Sequence, residues 1–408
     1  MSVGRAPKIR STGARGAAVQ VLLWTAVAAG LAYAAQDDRQ QRFEEMSRRA
    51  EERGLSQPYR GVAANGELVH GLFAIESTGV STEPVLDAAR AFLERLTPEQ
   101  RQQTRFPLDD PEWRKWMNQH FYVRQGVSFE SMTEAQRTAA LDLMKASLSA
   151  SGMQLSRDIM RLNHTLGELN GDNFDEYGEW LYWITVMGEP AAAEPWGWQL
   201  DGHHLVINYF VLGDQVVMTP LFVGSEPVRA ETGKYKGTVI LEAERSKGLE
   251  LLNSLNEAQR QMAVIETSKD DNDNIAEAFS DNVDLEYAGI PAALMSAGQQ
   301  EALLELAGLY VGNLRDGHAA VRMDEVERYL NDTYFAWIGG DRDQDVFYYR
   351  IFSPVILIEF DHQKPANLRH LQPPVPNRQH IHAVVRTPNG NDYGKDLLRQ
   401  HYLQHSHD

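Results

Sequence analysis

His204-Leu205-Val206-Ile207-Asn208-Tyr209-Phe210-Val211-Leu212 and Val216-Val217-Met218-Thr219-Pro220-Leu221-Phe222-Val223 are two apolar runs joined by Gly213-Asp214-Gln215. A short glycine-containing loop between such runs predicts a β-hairpin. Working outward, Glu179–Met187 is aromatic and β-branched, so the strand-forming block starts near Tyr177 and extends to Val223. A second block follows much later, with strands predicted over Tyr334–Ile338, Val346–Phe352, Val355–Asp361 and His380–Arg386. Helical spacing fills the rest. Val85, Ala88, Ala89, Phe92, Leu93 and Leu96 form one stripe, Ala139, Ala140, Leu143, Met144 and Leu148 another, and Ile159, Met160, Leu162 and Leu166 a third. A single helix is expected over Lys247–Val264, others over Ala297–Asn313 and Arg322–Asn331, and a last one from about Asp392 to Tyr402. No repeat of 20–50 residues is visible. The fold class is α+β: an N-terminal helical region, residues 35–171, packs on a mixed, mainly antiparallel sheet built from two separated stretches of residues 172–408. The two regions are expected to be either adjoining or one continuous domain.

The chain has 408 residues, 43% hydrophobic and 24% charged, which is the composition of a globular protein. It contains no cysteine, so thiol nucleophiles, thiolate metal sites, disulfides and iron–sulfur clusters are excluded, and any metal must sit on His, Asp or Glu. Asp and Glu outnumber Lys and Arg by 57 to 39, a net charge of -18 that repels nucleic acid and anionic lipid. The first 34 residues read as an address. Arg5, Lys8, Arg10 and Arg15 precede an apolar run from Ala17 to Leu31 and then Ala32-Tyr33-Ala34, the order of a secretory signal peptide with cleavage expected after Ala34. Loss of those four cations would take the charge from -18 to -22. An uncleaved N-terminal anchor is the alternative, and no later segment is apolar and long enough to span a bilayer. The expected location is periplasmic or secreted.

Strand alternation selects the residues that can converge. In His380-Ile381-His382-Ala383-Val384-Val385-Arg386 the two histidines share a face with Arg386, and two imidazoles so placed are natural metal ligands. In Val355–His362, Glu359 and Asp361 share one face of an apolar strand. A buried carboxylate there needs a cation or hydrogen-bond donors. Asp201-Gly202-His203-His204 offers a third imidazole, and a regular strand lets only one of His203 and His204 reach a shared metal. The expected ligands are His380, His382, Glu359 and either His203 or His204, around a divalent zinc, copper, iron or manganese ion. Glu359 or Asp361 is the candidate for proton transfer from a metal-bound water. Trp196 and Trp198 would share a face lining a cleft, and Arg350 and Arg386 would bind an anionic group of a small-molecule or small polar-polymer substrate. The spacing of His401, His405 and His407 suits an adventitious surface patch. No G-x-S-x-G, H-E-x-x-H, P-loop or G-x-G-x-x-G motif occurs. The polar loop Ser268–Asn274 lacks the glycine and closing acid of a calcium loop.

Pro195-Trp196-Gly197-Trp198-Gln199-Leu200-Asp201-Gly202-His203-His204, Tyr348-Tyr349-Arg350-Ile351, Leu357-Ile358-Glu359-Phe360-Asp361 and His380–Arg386 together resemble a family of exported bacterial proteins of the DUF3500 type, a domain of unknown function. The resemblance covers most of the chain after Ala34. In that family a Glu and an Asp stand where Glu359 and Asp361 stand here, while the place of His362 is often not His, which favours Glu359 over His362 as a ligand. The resemblance implies no activity. The residues themselves lead to two expectations: an exported metal-dependent enzyme, hydrolytic rather than oxidative, or a non-catalytic protein that binds a metal or small ligand.

Overall fold

The computed structural model describes residues 1, 2, 4 and 38–405. The expected signal segment and His407 lie outside the described residues. Among those described, no helix is long and apolar enough to cross a membrane. Two compact units are present. Residues 1–50 with Phe121–Val123 form one, and residues 51–120 with 124–408 the other. In the first, residues 38–50 are helical, the Phe43 and Phe121 rings lie 6.2 Å apart, and Val123 N donates to Ser47 Oγ at 2.9 Å.

The second unit holds the sheet and the helices that cover it. Its first half runs α1 (Glu83–Arg95), α2 (Pro98–Thr104), β1 (Arg105–Phe106), β2 (Val127–Ser128), α3 (Glu134–Ser147), α4 (Ala150–Leu169), β3 (Tyr182–Met187), β4 (Trp196–Gly202), β5 (Leu205–Leu212), β6 (Gln215–Val217) and β7 (Leu221–Ser225). The second half runs α5 (Glu242–Ser254), α6 (Glu257–Ala263), β8 (Val264–Glu266), β9 (Ile290–Pro291), α7 (Ala297–Val311), α8 (Asp316–Arg328), β10 (Tyr334–Gly339), β11 (Phe347–Phe352), β12 (Leu357–His362) and β13 (Ile381–Arg386). Helix α9 (Lys395–Gln404) follows. The 13-stranded sheet has the order β9-β10-β11-β12-β13-β7-β5-β4-β3-β1, with β2 on β3, β6 on β5 and β8 on β10. All neighbours are antiparallel except β1 on β3 and β8 on β10. An α+β architecture with a mixed, mainly antiparallel sheet from two stretches of chain is therefore what the protein adopts.

The expected single helix over Lys247–Val264 is two helices. Helix α5 ends at Ser254 with Leu255 as its cap, and Asn256 starts α6, its side chain accepting from Gln259 N while Gln259 reaches back to Asn256 N. Such a capping box satisfies donors that a continuous helix would have bonded internally.

That break exposes a duplication. Both halves have the same order of elements, with β6 and β7 together standing where β13 stands alone, and they meet where β7 pairs antiparallel with β13, Val223 opposite Ala383, so an approximate two-fold axis relates them. The details repeat. Leu96-Thr97-Pro98-Glu99-Gln100-Arg101 and Leu255-Asn256-Glu257-Ala258-Gln259-Arg260 both carry capping boxes, as do Thr133/Gln136 and Ser296/Gln299. Gln136 Nε2 donates to Gln100 Oε1 at 2.7 Å and Arg95 O at 3.0 Å, and Gln299 Nε2 lies 3.0 Å from Gln259 Oε1 and 2.7 Å from Ser254 O. Gly126 (φ +88) and Gly289 (φ +92) each press on an adjacent strand so closely that a Cβ would lie 2.3 Å from Ile184 O and 2.0 Å from Phe335 O. The repeated unit is half the second compact unit, far beyond the 20–50 residues of a solenoid repeat.

The helices of both halves cover one face of the sheet. Val85, Phe92, Leu143 and Ile159 share a core with Trp198, Tyr209, Ile358 and Val385, and Leu252, Leu306 and Val326 join it from the second half. On the opposite face Phe210, Phe222 and Val384 pack against Trp113, Trp116, Tyr393 and Leu397. Strand alternation sends His382 and Arg386 to this second face, because Ile381, Ala383 and Val385 occupy the first.

Candidate metal centre

His382 lies on β13 between Gly224 of β7 and Asp361 of β12. A Cβ on Gly224 would sit 3.3 Å from His382 Cδ2 and 2.5 Å from Ile381 O, so the glycine gives the imidazole its room. His380 enters from the start of the same strand. The third ring comes from a two-residue turn, since Gly202 pairs with Leu205 and His203-His204 form the bend. His204 holds a left-handed backbone (φ 62), a conformation that costs a non-glycine residue on the order of 1 kcal/mol and concentrates at functional sites. Its N donates to Asn118 O at 3.1 Å and its O accepts from Gly224 N at 2.9 Å, which fixes the bend and aims the ring at β13.

His204, His380 and His382 bring one ring nitrogen each to within 4.8 Å of one another. His380 Nε2 is 3.3 Å from His204 Nε2 and 3.0 Å from His382 Nε2. Two nitrogens bound tetrahedrally at ~2.0–2.1 Å to one zinc ion stand roughly 3.3 Å apart, so these spacings suit a shared cation. All three residues are buried, between 2% and 6% exposed. Burial, with the neighbouring imidazoles adding to it, pushes His204 and His380 well below the usual imidazole range, so both rings are neutral at neutral pH. Neutral Nε2 is the ligating form. His382 Nδ1 faces Glu277 Oε1 at 2.6 Å, and His380 Nδ1 faces Lys364 O at 2.7 Å. An N–H given to those acceptors leaves each Nε2 with its lone pair directed at the centre, the usual support of a metal-binding histidine. Burial raises the Glu277 carboxyl, but His382 and the amides of Asn274 and Asn118 outweigh it and hold it below the usual range.

The remaining sequence-predicted residues lie elsewhere. Glu359 is buried on β12 and accepts from Ile275 N at 3.0 Å, Ala276 N at 2.9 Å and Tyr348 OH at 2.7 Å. Burial raises its carboxyl despite those donors. Asp361 accepts from Asp273 N at 2.7 Å and pairs with Lys269 Nζ at 2.9 Å, and burial pushes it up to about 7 against the pull of that lysine. Arg386 donates to Ala276 O and Glu277 O, both at 2.9 Å, and pairs with Asp281 at 2.8 Å. These three strand residues therefore hold the segment 273–281 that presents Glu277 to His382. None of them contributes an atom to the three-histidine group. His203 stacks on His204 with ring centres 4.0 Å apart but turns its Nδ1 to Asn163 Oδ1 at 2.7 Å. Arg350 is buried and reaches Glu286 O at 3.5 Å. Trp196 and Trp198 belong to the helix-side core, Trp198 stacking on Tyr209 at 5.6 Å, across the sheet from the histidines. His401 of α9 and His405, which caps its end, lie with ring centres 4.7 Å apart. Sequence reasoning missed Glu277, Lys364 and Asn118. All three sit in connections without periodicity, and only the demand of Glu359 for donors pointed toward such a loop.

An α+β protein with a buried three-imidazole group at the seam of two similar halves is the class these features define. The chain belongs to the family described as "Protein of unknown function (DUF3500)", whose model matches residues 78–395 and so includes all three histidines and Glu277. No curated protein and no solved structure matches the chain.

Proposed function

We propose that the protein is an exported metal-dependent enzyme whose centre is the cation held by His204, His380 and His382. The observation that carries this reading is the pair of Nε2 separations, 3.0 and 3.3 Å, with the opposite nitrogens of His380 and His382 already tied to acceptors. An all-imidazole set suits zinc, copper(II) and iron(II) better than manganese, which prefers oxygen. Three protein ligands leave a fourth position, and a zinc ion there supplies a water that ionises near pH 7, the basis of hydrolysis without a thiol or serine nucleophile. The chain itself orients the rings, excludes bulk water by burial and keeps His204 and His380 unprotonated. Glu277 fixes His382 through Nδ1. The substrate class is a small molecule or small polar polymer. The near-complete burial of the rings also favours a second reading, a closed site that binds metal without turnover.

The test is to load purified protein with Zn²⁺, Cu²⁺ or Fe²⁺, dialyse it, and measure bound metal and hydrolysis of an activated ester. The wild-type chain should retain about one equivalent and His382→Ala far less. Hydrolysis that tracks occupancy supports the enzyme, and full occupancy without hydrolysis supports the closed site. Less than about a tenth of an equivalent in the wild type would remove both.

A further inference from the structure

The helix side of the sheet contains a cavity of about 800 Å³, remote from the histidines, walled by Met218, Leu221, Tyr310, Leu314, Ile356 and Val385. The duplication explains why it exists. In one half α4 packs directly on β7, and the long connection 363–380 between β12 and β13 drives Leu368, 1% exposed, against Leu166 and Tyr177 beneath the end of α4. In the other half the matching connection between β5 and β6 is only Gly213-Asp214, and the Asp214 carboxylate accepts from Ser77 Oγ, Thr78 N and Gly79 N, so the short turn sends no apolar side chain under α8. The cavity opens there, bounded by Val385 of β13 on one side and His318 and Arg322 of α8 on the other. Its volume falls in the range of small-molecule sites, roughly 300–1,000 Å³.

We infer that this cavity binds a small amphipathic cation, an alkyl chain carrying an amine or ammonium head. The deep wall is aliphatic and aromatic, which suits the chain. Four carboxylates, Glu76, Asp324, Glu325 and Glu327, line the cavity beside two guanidinium groups, Arg322 and Arg328, and the imidazole of His318. Arg322 is occupied: it pairs with Glu325 and donates to Val355 O at 2.6 Å and Thr387 Oγ1 at 3.2 Å. The surplus of carboxylates, reinforced by the net charge of -18, favours a cationic head and repels an anionic one.

Calorimetry on the full chain with decyltrimethylammonium and decanoate, both below their micelle concentrations, tests this. The cation should bind with one-to-one stoichiometry and about tenfold more tightly than decanoate at low salt. Leu314→Trp, which fills the cavity, should abolish the signal. The surface pair Asp324→Lys and Glu327→Lys leaves the core intact and should erase the preference for the cation, so the inference stays testable should Leu314→Trp fail to fold. Equal binding of the two amphiphiles, or binding that survives both the filling and the charge reversal, would overturn it. The outcome is independent of whether the histidines hold a metal.

Discussion

The two halves of the second unit share one architecture but differ in the polarity of their cross-strand pairs. At matching places on β4·β5 and β11·β12 stand Gln199 opposite Asn208 and Arg350 opposite Glu359. The first pair is neutral: Gln199 Nε2 donates to Asn208 Oδ1 at 2.7 Å and to Trp113 O at 3.0 Å, tethering the segment after β1. The second is charged, and Glu359 tethers the matching segment after β8 through two backbone N–H groups. The turns differ as well. His203-His204 joins β4 to β5, whereas Ser353-Pro354-Val355-Ile356 joins β11 to β12, with no imidazole or carboxylate. Among the described residues the three-histidine group therefore occurs once, at one end of the seam, and its supporting loop is pinned by buried charge. The duplicated scaffold carries a neutral pair in one half and a charged pair in the other, and the histidine group draws on both halves.

The largest expected effect breaks the charged side. Arg386→Met would leave Asp392 buried without its guanidinium and Asp281 with Arg114 alone, and denaturant unfolding should show a loss of about 3–5 kcal/mol, the scale for breaking a buried pair. A loss below about 1 kcal/mol would mean that the charge network carries little of the fold. Next, Glu277→Gln keeps the shape but weakens the bond to His382 Nδ1, and metal titration should show affinity falling about 10- to 100-fold with little change in unfolding. Comparing Glu359→Gln with Gln199→Leu sharpens the contrast. Both should destabilise by about 1–3 kcal/mol through unsatisfied buried partners, but only the former should also weaken metal binding.

The smallest effect concerns pH. Glu112, in the tethered segment of the first half, is 3% exposed and burial pushes its carboxyl up to about 8 from an ordinary 4.5. The folded state thus holds a proton that the unfolded chain releases. The sign follows: the contribution of this group is full below pH 4.5 and is lost as the pH rises toward 8. Glu112→Gln should flatten the stability profile across that window, read by thermal unfolding at several pH values. An unchanged slope would place the pH dependence elsewhere.

Much of this was legible in residue order. Alternation in His380–Arg386 placed both imidazoles on one face, and the hairpin around Gly213 anchored the sheet. Other features were not legible, for physical reasons. His204 reaches the centre only through a left-handed turn residue, which strand alternation cannot foresee. The mid-strand Glu359 correctly signalled a missing partner, but backbone N–H groups meet that need as well as a cation does. Glu277 lies in an irregular segment whose course is set by Arg386, Glu359 and Asp361. The duplication hides because only capping and close-contact residues, such as Gln100 and Gln259 or Gly126 and Gly289, recur in sequence.

X-ray absorption on zinc-loaded protein addresses the central claim most directly. The account predicts three imidazole nitrogens and one light atom at ~2.0–2.1 Å, with one nitrogen lost in His204→Ala. A zinc shell that keeps all its nitrogens in His204→Ala, or one made mainly of carboxylate oxygen, would contradict it.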